Sequence, residues 1–258
     1  MCSSDLLGAV VLASLLLWRP AFLGVAVVGV VAATLELTRA MRSAGSAPPV
    51  VPILAGGVGM VVAAWLWGAD ALGLGLLVTV LAVMVWRLGD GPTGYQRDVG
   101  AATLITVYVP FLGGFAVLLA APDDGHLRVL VMLAVVVLSD TGGYVSGVLF
   151  GRHPMAPTIS PKKSWEGLAG SLVAAAVGGA VGLQLAGFDV AWIWGVVFGL
   201  TVAAAAVLGD LAESMLKRDL GVKDMSRLLP GHGGVMDRLD SILFAAPTAY
   251  LLLRLLAP

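Results

Sequence analysis

Residues 214–240 read SMLKRDLGVKDMSRLLPGHGGVMDRLD, and their side chains are of the types that handle phosphate and metal ions. Residues 210–240 carry eleven of the thirty-one Lys, Arg, Asp and Glu of a chain that is 59% hydrophobic as a whole. Lys217, Arg218, Lys223 and Arg227 bring enough positive charge to hold a polyphosphate. Asp210, Asp224, Asp237 and Asp240 offer oxygen ligands suited to a hard cation such as Mg2+, which ordinarily takes one or two carboxylates together with substrate phosphates. Asp210, Glu213, Ser214 and Lys217 are spaced i, i+3, i+4, i+7, so a helix continuing through them sets all four on one face. Pro230-Gly231-His232-Gly233-Gly234 is a turn whose N–H groups are free to cradle phosphate oxygens. His232 has three open roles there: general acid, ligand or hydrogen-bonding prop. Asp237, Arg238 and Asp240 follow just before the last apolar run.

A second polar block is SDTGGYVSGVLFGRHPMAPTISPKKSWEG, residues 139–167. Asp140 lies inside an apolar run, where an ionisable group costs at least about 2.5 kcal/mol and marks a functional site by default. Its bland alternative is a structural pairing with another helix. Gly142, Gly143 and Gly147 permit close approach of backbone or ligand. Pro154, Pro157 and Pro161 then break the chain into a loop that ends in Lys162-Lys163-Ser164, before Glu166. Such lysines serve either membrane topology and anionic lipid heads or the grip on a phosphate. Neither a GxxxxGK[ST] loop nor a strand-associated GxGxxG is present, so any nucleotide is bound without those devices.

The elements that must position these residues are membrane helices. A mean hydropathy of +0.98 with 12% charged residues excludes an ordinary soluble domain. Nine apolar runs occur, at about 6–18, 21–38, 49–68, 71–87, 100–121, 127–150, 167–187, 190–209 and 241–257. A bilayer crossing needs roughly 20 residues, so the first is too short to span alone. The start, MCSSDLL, has neither a basic segment nor a cleavage site, so a signal peptide is not expected. Six of the seven Trp fall near run ends, where aromatic belts sit. The expected fold is an all-α, polytopic membrane protein of about nine helices. Its N-terminal helices occupy 1–48, and the remaining domain, 49–258, carries polar loops at 151–166 and 210–240.

Loops after even-numbered runs contain Arg39, Arg42, Arg87, Arg97, Arg152, Lys162, Lys163, Lys217, Arg218, Lys223, Arg227 and Arg238, twelve of the fifteen basic residues. The positive-inside rule makes these loops cytoplasmic, in a multi-pass protein of the inner or plasma membrane. With Cys2 as the only cysteine, an internal disulfide or a cysteine-based metal site is excluded.

The string S-x-x-K-R-x-x-x-x-K-D-x-x-x-x-L-P-G-H-G-G-x-x-D-R-x-D, Ser214 through Asp240, resembles the signature of the phosphatidate cytidylyltransferases (CDP-diacylglycerol synthases). The block from Ser139 to Gly167 is similar to that family's second characteristic region, and the resemblance covers roughly residues 50–258. It implies a membrane enzyme, often dimeric, that transfers a cytidylyl group from CTP to phosphatidic acid, releasing pyrophosphate and giving CDP-diacylglycerol. It further implies Mg2+, with a monovalent cation such as K+ sharing the site, on Asp210, Asp237 and Asp240. The expected catalytic set is Lys217, Arg218, Lys223, Asp224, His232 and Arg238. Asp140, Lys162, Lys163, Ser164, Ser214, Gly233 and Gly234 are the expected substrate-binding set. CTP, phosphatidate, membrane lipids and a second copy of the chain are the expected partners, and nucleic acid is not. The competing readings are a CTP-dependent kinase of a lipid alcohol, which would release CDP, and a transporter with Asp140 as coupling residue.

Overall fold

Apolar runs of this length leave the backbone one way to satisfy its polar groups in lipid, which is to coil into helices. The computed structural model describes residues 3–226 and 233–257. Its helices are α1 (Ser3–Leu17), α2 (Arg19–Ser43), α3 (Val50–Trp67), α4 (Ala69–Leu88), α5 (Tyr95–Thr106) and α6 (Leu112–Ala120). They continue with α7 (Gly125–Phe150), α8 (Trp165–Leu185), α9 (Trp192–Asp219) and α10 (Met236–Leu256). Among the described residues eight helical spans are long and apolar enough to cross a membrane. At 15 residues α1 is about 22 Å long, short of the roughly 30 Å hydrocarbon core, as the sequence requires. Trp18, Trp67, Trp86, Trp192 and Trp194 are exposed near helix ends.

The chain divides into two units, residues Met1–Pro122 with Lys217–Leu239, and Asp123–Leu216 with Asp240–Pro258. In the first, α5 and α6 are one rod joined by a π turn, Val107–Phe111, around Pro110. Proline has no N–H to give, and the wider turn absorbs the missing bond. Gly57 of α3 makes room for that ring: a Cβ there would lie 3.1 Å from Pro110. The loops of this unit are stapled by a buried ion pair. Arg87, at the end of α4, donates to Asp98 through Nε (3.1 Å) and Nη2 (2.9 Å), and also to the carbonyls of Gly91 and Thr93. Asp98 in turn accepts from the Ala47 amide at 2.8 Å and from Arg97 at 3.0 Å. Two residues read from the sequence only as topology charges are thus a structural fastening.

The second unit is built on glycine. Gly142, Gly143 and Gly147 of α7 face Gly167, Gly170 and Ser171 of α8 so closely that a Cβ on Gly142 would stand 2.7 Å from the Gly170 carbonyl oxygen. Small residues allow this approach, and the Ser171 hydroxyl uses it to donate to the Ser139 carbonyl at 2.8 Å. The α8–α9 contact is tighter still. A Cβ on Gly199 would lie 2.7 Å from the carbonyl carbon of Ala175, which is backbone and has no rotamer to retreat into. Gly199→Ala is therefore expected to cost about 1–3 kcal/mol, read as a lowered Tm of the detergent-solubilised protein. Between α7 and α8, where the prolines predict a plain loop, the chain forms a short hairpin, β1 (Pro154–Ala156) antiparallel to β2 (Ser160–Ser164). It is the only sheet among the described residues and leaves the all-α class intact.

Candidate active site

The hairpin exists because both its ends are tied. The Ser164 hydroxyl caps α8 by accepting from the Gly167 amide at 3.1 Å. Glu166, in the first turn of α8, reaches back to His153 Nδ1 at 2.6 Å and accepts from the amides of Arg152 (3.2 Å) and His153 (3.3 Å). Ser164 thus has a structural use for its hydroxyl, and Lys162 and Lys163 immediately before it are held at the end of a braced strand.

Lys163 lines a cavity of about 360 Å³ in the second unit, with Asp140 and Tyr144 from α7, Lys162 and Ser164 from the hairpin, and Asp210 from α9. Lys163 Nζ makes a 2.5 Å ion pair with Asp210, whose carboxylate also lies 3.4 Å from the Ser214 hydroxyl one turn on. Asp140, deep along its helix, opens onto the same cavity. The structure therefore joins residues of the two polar blocks, Asp140, Lys162, Lys163 and Ser164 of one and Asp210 of the other, in one concave site. Two carboxylates and two ammonium groups there suit a ligand that is anionic and arrives with a cation.

In the first unit the end of α9 and the start of α10 make a second polar cluster. Asp237 accepts from Lys217 Nζ at 3.0 Å, from the Met225 amide at 3.1 Å and from the Gly234 amide at 2.7 Å. Gly233 has φ +79°, a conformation open to glycine, and a Cβ there would stand 2.9 Å from Asp237. Lys223 and Asp224 are exposed on the turn after α9, and Arg218 and Arg238 are exposed on the helices. Asp240, in the second unit, accepts from the Ser241 amide at 2.6 Å. His232, with Arg227, Pro230 and Gly231, lies outside the described residues.

The sequence reading passed over Glu36. It sits on α2 with none of its surface exposed and accepts from the Ser226 hydroxyl (2.6 Å) and the amides of Val235 (3.0 Å) and Met236 (2.8 Å). The signal that could have found it is the one used for Asp140, a carboxylate inside an apolar run.

Among the described residues no group of three or more His, Cys, Asp and Glu forms a self-sufficient metal cage. Mg2+ does not need one, since substrate phosphates and waters complete its octahedron. Asp140 and Asp210, which line the same cavity, fit that requirement, and Asp210 already has a cationic partner there in Lys163.

The chain is thus a largely helical, multi-span membrane protein whose cavity gathers carboxylates, lysines and glycines. The chain is a member of the cytidylyltransferase family, whose model matches residues 1–256. It is 42% identical to the phosphatidate cytidylyltransferase of Mycobacterium bovis over 97% of this chain and 86% of that one. The enzyme of the same name from Mycobacterium leprae is 41% identical over 86% of this chain and 76% of its own. That of Helicobacter pylori strain J99 is 41% identical over 62% of this chain. The match takes in α1 and α2, which the resemblance over 50–258 left aside, and so includes the helix that carries Glu36.

Proposed function

We propose that the chain transfers a cytidylyl group from CTP to phosphatidate, a step of phospholipid biosynthesis. The cavity that sets Lys162 and Lys163 against Asp140 and Asp210 carries this reading, because it offers charges of both signs to a phosphate brought with its metal. A phosphate oxygen of phosphatidate attacks the α-phosphorus of CTP. The bond from that phosphorus to the β-phosphate bridging oxygen breaks, and pyrophosphate leaves. Phosphatidate is already an anionic nucleophile, so no dedicated base is needed, and the task is to bring two polyanions together. Catalysis of this kind is positioning plus stabilisation of charge.

Lys162 and Lys163 bind one of the two phosphate substrates, and the Lys163 ammonium exchanges its partner Asp210 for phosphate oxygen. Lys217, Arg218 and Lys223 bind the triphosphate. Asp210 with Asp140 would hold Mg2+, which when bound neutralises charge on the departing pyrophosphate. Asp237 and Asp240, the other carboxylates proposed for metal, are each fastened to neighbouring donors. The basic loops face the cytoplasm of an inner or plasma membrane, where CTP is available, and the enzyme works as a homodimer.

The test supplies membranes carrying the chain with phosphatidate, Mg2+ and CTP labelled at the α-phosphate. Label in a chloroform-soluble product with equimolar pyrophosphate is the expected result. Label remaining in water-soluble CDP, with phosphate passed to an added lipid alcohol, would make the enzyme a kinase and overturn the reading.

A further inference from the structure

We propose that Glu36 is a positioning residue for the nucleotide side of the reaction, acting through the Lys217–Asp237 pair; the proposal rests on the cytidylyltransferase reading above. Two short stretches of the signature, Met225-Ser226 and Gly233 to Met236, are held by two carboxylates at once. Asp237 takes the amides of Met225 and Gly234. Glu36 takes the Ser226 hydroxyl and the amides of Val235 and Met236. Each carboxylate therefore bonds to both stretches, and neither stretch can shift without breaking bonds to both. Asp237 belongs to the signature it holds. Glu36 comes from α2, about two hundred residues earlier, and is the fixed end of the clasp.

A space-filling role for Glu36 is a poor fit to its surroundings. A buried carboxylate is costly, and an apolar side chain would fill the same volume at less cost unless the charge is used. Here the carboxylate is used by donors: one oxygen takes Ser226 and Val235, the other takes Met236. Gly234 is what lets it come so close, because any Cβ at that position would run into the Glu36 carboxylate. The two bonds to consecutive amides also fix the direction in which α10 sets out. Asp237, the next residue, is thereby aimed at Lys217. Loss of the clasp should therefore be felt where Lys217 meets the triphosphate, rather than where phosphatidate binds.

The experiment compares wild type with Glu36→Gln, Glu36→Ala and Ser226→Ala in membranes, normalised to inserted protein. It reads KM for CTP, KM for phosphatidate and the hydrogen exchange of peptides covering 233–240. Glutamine keeps the shape but turns one acceptor into a donor facing a donor. The expected result is a KM for CTP raised roughly ten-fold in Glu36→Gln and further in Glu36→Ala. Ser226→Ala, which loses one bond only, should show a smaller rise in the same constant. KM for phosphatidate should stay within about two-fold of wild type, and exchange at 235–236 should quicken in all three. Fewer molecules inserted, with both KM values unchanged in those that remain, would make Glu36 a packing residue and overturn the proposal. Unchanged KM for CTP in both Glu36→Gln and Ser226→Ala would overturn it equally. Should wild type itself leave CTP untouched, the cytidylyltransferase reading fails, and slow exchange at 235–236 in Glu36→Gln would then refute the clasp on its own terms.

Discussion

Asp210→Asn is expected to lower cytidylyl transfer at least about 100-fold while leaving insertion and Tm near those of wild type. Asparagine keeps the shape of the side chain and can still accept from Ser214, so the end of α9 has no reason to unravel. It removes the charge that faces Lys163 Nζ and that would share a metal ion with Asp140 across the cavity. The side chain of Asp210 is 35% exposed, and an asparagine carbonyl there can still accept from the buried Lys163 Nζ, so that ammonium keeps a polar partner. Rate therefore separates from folding in this variant. The companion measurement is residual activity against Mg2+ concentration, assayed with α-labelled CTP. If Asp210 holds the cation, the Mg2+ concentration for half-maximal activity should rise in Asp210→Asn. If Asp210 serves only to neutralise Lys163, that concentration should not move. Activity above a tenth of wild type in Asp210→Asn would sink the assignment.

Arg87→Met should do the reverse, destabilising the fold by about 3 kcal/mol or more. Asp98 has 1% of its side chain exposed and Arg87 6%, and the guanidinium also satisfies the carbonyls of Gly91 and Thr93. Methionine replaces the stem and leaves the carboxylate with only the Ala47 amide and the more exposed Arg97. The cost is that of a buried charge deprived of its best partner. A lowered midpoint in thermal unfolding checks it. Arg87→Met combined with Asp98→Leu should recover most of the loss, because two well-packed apolar side chains leave no orphaned charge. An unaltered midpoint in Arg87→Met would mean that Arg97 alone suffices.

The sequence made the helices and the polar blocks readable because both are local patterns. A run of twenty apolar residues declares a span wherever it occurs, and the spacing of Asp210, Glu213, Ser214 and Lys217 correctly implies that α9 continues to Asp219. Asp140 was visible as a carboxylate among apolar neighbours, and the cavity puts it beside Lys163 and Asp210. Arg87 and Arg97 were seen as charges but not as a fastening, since nothing in a linear pattern pairs them with Asp98 and Ala47. The same holds for Ser164, whose cap depends on the local backbone, and for the π turn, where Pro110 had been counted simply as part of a span. Glu36 was lost for a different reason. Its partners are 190 to 200 residues away, and two of the three are backbone amides, which carry no signature in a sequence.

That separation has a consequence for how the protein is made. Synthesis proceeds at about 5–20 residues per second, so α2 waits on the order of 10–40 seconds in or near the membrane before the amides of Val235 and Met236 have been polymerised. Glu36 lies seven residues from the end of its helix at Ser43, about 10 Å along the axis. During the wait none of the three donors that hold its carboxylate in the folded protein has yet been made. A polar anchor made early in synthesis is thus engaged only when residues 226–236 have been made.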